Sequence, residues 1–421
     1  MTTFSRVSAF VIASLGAAAV SLVAGAAQVA PHMRETRGLW VLRTSLTSPE
    51  SIAAMVRAAE SGGFNTLLLQ VRGRGESYYQ SALEPRASDL DNQPGTFDPL
   101  ATTLDVAHRA GLQVHAWISV NLVASSATLP RSRDHVIFRH PEWLMVPRGL
   151  DGELRSVDVR SPAYVGQLAR WTRSMSDTIE GLYISPISAD AREYTARVVT
   201  EIVSRYPVDG VHLDYARYPG DEFDYSSAAL AEFRSTRLAA ASAIERARLD
   251  RLAVADPAAW ATALPDSWRA FRRDRLTSLV SRLRSAVRAV RPGVIISVAV
   301  PPDPDFARDR DSQDWRAWAS AGLVDVLCPM AYATDLDEFT RALTQTQVAS
   351  GRAAVWAGIG AYRLPAPATA DRVRAARRTG AGGVVLFSYD SLATADAQES
   401  EYFAEMRRVL LEVLGGIGLR R

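Results

Sequence analysis

From Arg37 to the end of the chain, short apolar runs alternate with amphipathic stretches of helical length, the pattern of βα units around a parallel sheet. Eight runs read as strands: 38–43, 66–72, 113–119, 210–215, 294–300, 324–332, 353–358 and 383–389. The stretches between them predict helices over 49–61, 99–110, 189–206, 268–290, 312–321, 335–349, 369–379 and 396–414. Gly62-Gly63, Gly111, Gly322 and Gly380 punctuate helix-to-strand turns. Eight strands, each followed by a helix, is the count of a closed (β/α)8 barrel of the TIM type, an α/β fold expected here over 34–414. Two connections are too long for turns, 121–188 and 220–267, and are expected as lids or subdomains over the C-terminal strand ends. Gly380-Ala-Gly-Gly enters a strand and opens no helix, so it reads as a structural turn, not a phosphate cradle.

Side chains along a barrel strand alternate between the interior and the helix layer. Polar residues of interior parity at a C-terminal strand end therefore mark a site. On the second strand Leu67, Leu69 and Val71 face helices, leaving Gln70 and Arg72 inward. The third leaves His115, Trp117 and Ser119 inward, the fourth His212 and Asp214, and the sixth Cys328, Met330 and Tyr332. Buried polar groups cost free energy unless paired, and an inward carboxylate at the usual catalytic end is hard to explain as packing. Asp214 is thus the leading catalytic candidate, with a buried ion pair to Arg72 or Arg217 as the structural alternative. Arg43 and Arg72, at strand ends, are expected to orient that carboxylate or a substrate hydroxyl.

Composition narrows the function classes. All 48 basic residues of the 421 are Arg, which excludes Schiff-base aldolases, pyridoxal-phosphate enzymes and P-loop nucleotidases, since each needs a Lys. A net charge of +2 gives no reason to expect a nucleic acid or anionic membrane as partner, and no nucleotide cofactor is expected. Arg6, the apolar run Val7 to Val23 and the small residues Ala24-Gly-Ala26 predict an export signal over 1–27, with an uncleaved membrane anchor as the alternative. The only cysteine, Cys328, rules out an internal disulfide, so an exported chain of this length must rely on a large core. A monomer is expected.

These segments together resemble the glycosyl hydrolase-like family 10 barrels, exported bacterial proteins linked to hydrolysis of cell-wall glycan strands. Arg37-Gly-Leu-Trp40 resembles the family's first strand, Gln70-Val-Arg72 the end of its second, and His115-Ala-Trp117 its third. Asp209-Gly-Val-His212-Leu-Asp214-Tyr-Ala-Arg-Tyr218-Pro219 resembles the signature D-G-I-H-F-D-D-Y-F-Y-P, and Trp315 to Asp325 with Pro329-Met-Ala-Tyr332 resembles the sixth strand and its lead-in. Two departures matter. Tyr215 stands where the family signature has a second acid, and Ala216 stands at the Glu position of the chitinase-type pattern D-G-x-x-x-D-x-E.

Glycoside hydrolysis takes two carboxyl groups, one an acid and the other a nucleophile or base. Asp214 supplies one. The other is sought at Glu76, on a loop flanked by Gly73 and Gly75, at Asp335 after the sixth strand, or at Asp390 after the eighth. Asp335 reads equally as a helix N-cap. Gln70, His115, Trp117, His212, Tyr218, Tyr332 and Asp390 are expected around the substrate with Arg43 and Arg72, and Tyr78, Tyr79, Trp143 and Tyr389 are further candidates for stacking on sugars. No cofactor and no metal is expected. The competing readings are a catalytically inactive glycan-binding barrel of the envelope, a metal-dependent hydrolase using His115, His212 and Asp214, and a structural envelope protein.

Overall fold

A computed structural model describes residues 35–393 and 396–412, so the export signal expected over 1–27 lies outside the described residues. Among the described residues ten strands form: β1 (Thr36–Val41), β2 (Thr66–Arg72), β3 (Gln113–Ser119), β4 (Leu122–Ser125), β5 (Gly181–Tyr183), β6 (Gly210–Asp214), β7 (Ile295–Val300), β8 (Val326–Ala331), β9 (Ala354–Ile359) and β10 (Gly383–Leu386). Eight close a parallel barrel in the order β1-β2-β3-β6-β7-β8-β9-β10, with β10 returning to β1, as the βα periodicity predicts. The remaining two, β4 and β5, form a small antiparallel sheet that apolar alternation did not reveal.

The local chemistry matches the architecture. Ser48 caps the helix Pro49–Ser61 by accepting from the Ser51 amide, Pro49 opens it, and Ile52, Met55, Val56 and Ala59 form its buried stripe. Each such large side chain contributes about 1.5–3 kcal/mol through burial. Inside the barrel, Trp40, Leu68, Trp117, Val326, Cys328, Trp356 and Val385 pack into a core separate from the larger one between strands and helices. A third core, around Phe233, Trp260 and Trp268, belongs to the second long connection and the helix after it, where helices Ser227–Arg237, Ala243–Ala255 and Ala259–Ala263 form. Among the described residues no helix is long and apolar enough to cross a membrane.

His115 pairs in register with Gly210 on β6, and a Cβ at position 210 would overlap the His115 ring. Gly210→Ala is therefore expected to overpack the interior and destabilise the fold by about 1–3 kcal/mol. Urea unfolding would read this as a lowered midpoint with an unchanged slope; an unchanged midpoint would mean that the ring has room to move.

Candidate active site

β6 delivers His212 and Asp214 to the interior side, and the chain then leaves the strand at once. Tyr215 adopts φ +50°, in the left-handed region that non-glycine residues enter at a cost of roughly 1–2 kcal/mol. The turn aims the Tyr215 amide back at Asp214 Oδ1, 2.7 Å away. Trp117 on β3 donates its indole N–H to Asp214 Oδ2 at 3.1 Å, and Arg217 Nη1 lies 3.7 Å from Oδ1. Of the two arginines weighed as ion-pair partners for Asp214, Arg217 is thus the one beside it. Burial pushes the Asp214 carboxyl above the usual carboxylate range. Arg217, the Tyr215 amide and Trp117 pull the other way without cancelling it.

The same guanidinium reaches a second carboxylate. Arg217 Nη2 lies 3.7 Å from Glu180 Oε1, and the Tyr183 hydroxyl donates to Glu180 Oε2 at 2.8 Å. One arginine contacting both places the two carboxyl groups within about 10 Å, on the scale of the roughly 5–9.5 Å that hydrolytic pairs span. Glu180 immediately precedes β5, and its carbonyl accepts from the Ser126 amide at 2.9 Å. Gly181 permits this close antiparallel pairing of β5 with β4, since a Cβ there would overlap the Ala124 carbonyl oxygen.

Asp214 and Glu180 face a cavity of about 450 Å³ at the C-terminal ends of the barrel strands. Trp40, Trp117, Met330, Tyr332 and Phe387 give it aromatic and apolar walls, while Arg43, Gln70, Arg74 and Arg217 supply further polar groups. Arg43 Nη1 donates to Gln70 Oε1 at 2.9 Å, and Tyr332 stacks on Phe387 with ring centroids 5.8 Å apart. A larger hollow of about 1160 Å³ lies beside the second connection, but acids lining it, such as Asp266 and Asp305, are ion-paired with Arg269 and Arg308.

The interior parity places Gln70, Trp117, Asp214 and Tyr332, together with Arg43, around this cavity. The two histidines sit deeper. His212 Nε2 accepts from the Trp40 indole at 3.1 Å, which leaves the proton on Nδ1 to donate to Ser297 Oγ at 2.9 Å. Burial pushes His212 down to about 3 and His115 down to about 4, so both rings are neutral. His115 packs against the Trp356 ring, and neither of its nitrogens has a hydrogen-bond partner among the described residues. Among the described residues no three His, Cys, Asp or Glu side chains gather as metal ligands, and His212, with both nitrogens engaged, does not offer itself as one.

Other expected positions fall elsewhere. A register shift between Gln70 and Arg72 breaks the alternation, and Arg72 turns away from the cavity to a bidentate pair with the fully buried Glu84 and to the Ser119 carbonyl. Tyr218 is buried beneath the Arg272 guanidinium, 5.4 Å from its ring centroid. Asp335 is the N-cap of helix Leu336–Ala349, accepting from the Glu338 amide at 2.7 Å. Asp390 clamps the end of β1 by accepting from the Leu42 amide (2.6 Å) and from the Thr44 and Ser45 hydroxyls (2.9 and 2.6 Å). Glu76 is half-buried and lies outside the cavity lining; its carboxyl is pushed up by burial and then by Asp89. Tyr78, Tyr79, Trp143 and Tyr389 are buried and do not line the cavity. Glu180, Arg74 and Phe387 line it, and the sequence had not singled them out.

A closed parallel barrel with two carboxyl groups facing one cavity at the C-terminal strand ends has the layout of the glycosidase barrels. The chain belongs to the glycosyl hydrolase-like 10 family, whose model matches residues 35–375. It is 26% identical over 292 residues to the glycosyl hydrolase DigH of Escherichia coli K12, covering 64% of this chain and 55% of that protein. To the glycosyl hydrolase YngK of Bacillus subtilis it is 24% identical over 335 residues, covering 71% and 54%. The chain thus spans about half the length of these relatives. In fold it is similar to the PgaB (BpsB) glycoside hydrolase domain of Bordetella bronchiseptica, with TM-score 0.59 and 15% identity over 88% of this chain and 99% of that one. It is also similar to α-L-fucosidase isoenzyme 2 of Paenibacillus thiaminolyticus, with TM-score 0.61 and 17% identity over 92% and 51%.

Proposed function

We propose that this protein is an exported glycosidase that cleaves a polysaccharide, the glycan strands of the bacterial cell wall, with Asp214 and Glu180 as its catalytic pair. The observation that carries the reading is the single guanidinium of Arg217 contacting both carboxylates at the rim of one aromatic-walled cavity. The relatives named glycosyl hydrolases support the activity, and the apolar stretch after Arg6 supports export.

The two environments divide the roles. Asp214 is buried and its carboxyl is raised, so it holds the proton that the departing sugar oxygen needs. Glu180 is half-exposed, lies beside Arg217 and acts as the base or nucleophile. Trp40, Trp117, Tyr332 and Phe387 offer faces on which sugar rings stack. His212 acts as a positioning residue, because its Nε2 fixes the Trp40 indole in the cavity wall. The test is release of new reducing ends from purified cell-wall glycan and from neutral polysaccharides. Release from the cell-wall glycan is expected; binding without release would favour a barrel that only holds glycans.

A pH experiment checks the role of Asp214. A general acid must be protonated, so kcat/KM falls as pH rises through its pKa. The Trp117 indole N–H stabilises the Asp214 anion, and Trp117→Phe removes it. The alkaline limb of the profile should then move upward by about one pH unit. A limb that stays put or moves down would contradict the proton-holding role.

A further inference from the structure

The lining of the cavity holds three arginines and two carboxylates, and the charges do not balance locally. Arg217 is taken up by Asp214 and Glu180. Arg43, just after β1, donates only to the neutral amide oxygen of Gln70, and Arg74, just after β2, makes no side-chain hydrogen bond or ion pair among the described residues. Glu76 is the acid whose charge both arginines feel, yet it ion-pairs with neither. Two half-buried guanidinium groups therefore share one wall with no carboxylate ion-paired to either among the described residues. Burial, and then the charge of Arg43, lower the pKa of Arg74, and the charge of Glu76 offsets this only in part. The loop is held in place: buried His135 binds the Arg74 carbonyl through Nε2 at 2.8 Å.

We propose that Arg43 and Arg74 form an anion subsite that takes the carboxylate of an acidic sugar. The planar fork of a guanidinium matches a carboxylate through two parallel hydrogen bonds, and the bound anion would supply the missing counter-charge. This rests on the glycosidase reading and adds the substrate class: a glycan with a free carboxyl group close to the cleaved bond. Two sources carry that chemistry, the lactyl ether of a cell-wall amino sugar stripped of peptide, and the C6 carboxylate of a uronic acid.

Binding, separated from turnover, tests this. Full-length Asp214→Asn protein is titrated calorimetrically with four tetrasaccharides: a peptide-free cell-wall fragment, the same fragment with its carboxyls reduced to alcohols, a tetragalacturonate and a neutral chitotetraose. At least one acidic probe should bind about tenfold or more tighter than the neutral ones, and which one identifies the source. Arg74→Gln in that background should remove the preference, while Arg74→Lys should retain part of it. Equal affinity for acidic and neutral probes, no binding of either acidic probe, or a preference that survives the Arg43→Gln/Arg74→Gln double variant would overturn the subsite. Turnover of wild-type protein distinguishes the two ideas. Charge-dependent binding without cleavage leaves the subsite standing and removes the glycosidase, and cleavage of neutral glycans without charge preference does the reverse.

Discussion

Glu180→Gln is expected to lower kcat by about 10²–10⁴-fold on every glycoside, whatever the leaving group. A nucleophile attacks the sugar carbon, and a base takes the proton of the water that attacks it, so a better leaving group replaces neither. Asp214→Asn should behave differently. On a polysaccharide the loss should be as large, because the departing oxygen is left without a proton. On an aryl glycoside with an acidic phenol, which leaves as the anion, most of the activity should return. Steady-state kinetics of both variants on one polysaccharide and one aryl glycoside check the division. Recovery in Glu180→Gln in place of Asp214→Asn would exchange the roles, and an unimpaired Glu180→Gln would remove Glu180 from the pair. Gln keeps the size of Glu, and at the half-exposed position of Glu180 the substitution leaves the core packing untouched.

Glu84→Ala should have the largest effect on stability, about 3–5 kcal/mol, because it leaves the Arg72 guanidinium buried without its counter-charge. Both side chains are fully buried, with Nη2–Oε1 2.7 Å and Nε contacts of 2.9 Å to both carboxylate oxygens. The Tyr194 hydroxyl, 3.2 Å from Glu84 Oε1, loses its acceptor as well. Arg72 also donates to the Ser119 carbonyl at the end of β3, beside the Val120 amide that bonds the Asp214 carbonyl at 2.7 Å. The pair thus ties the segment around Glu84 to the ends of β2 and β3. Urea unfolding should show the loss, with kcat and KM of the surviving folded fraction near those of the parent. A stable Glu84→Ala protein with a raised KM would instead return Arg72 to the substrate.

The barrel was legible because parallel strands buried on both faces form apolar runs, and their alternation separates the helix-facing from the interior set. That reasoning placed Gln70, Trp117, Asp214 and Tyr332 around the cavity. It failed where the period of two is broken. The register shift after Gln70 turned Arg72 outward, since a slip of one residue exchanges the faces. At Tyr215 the left-handed backbone ends β6, so Tyr218 no longer follows strand alternation. Asp335 and Asp390 are satisfied by nearby backbone amides or hydroxyls, a common fate for an Asp just beyond a strand, and nothing in residue type separates that from catalysis. Glu180 escaped notice because β5 has three residues, too few for a periodic signal. Its only trace is a lone acid before Gly181 in the apolar segment Ile179-Glu-Gly-Leu-Tyr-Ile184.

In the proposed function this cavity breaks glycosidic bonds through Asp214. Mass spectrometry of peptide-free cell-wall glycan incubated with wild-type protein or with Asp214→Asn tests it most directly. Shorter chains, each cut adding one water, should accumulate with the wild type and be reduced about a thousandfold with the variant. Intact strands in the presence of a wild-type protein that binds them, or equal cleavage by both proteins, would contradict it.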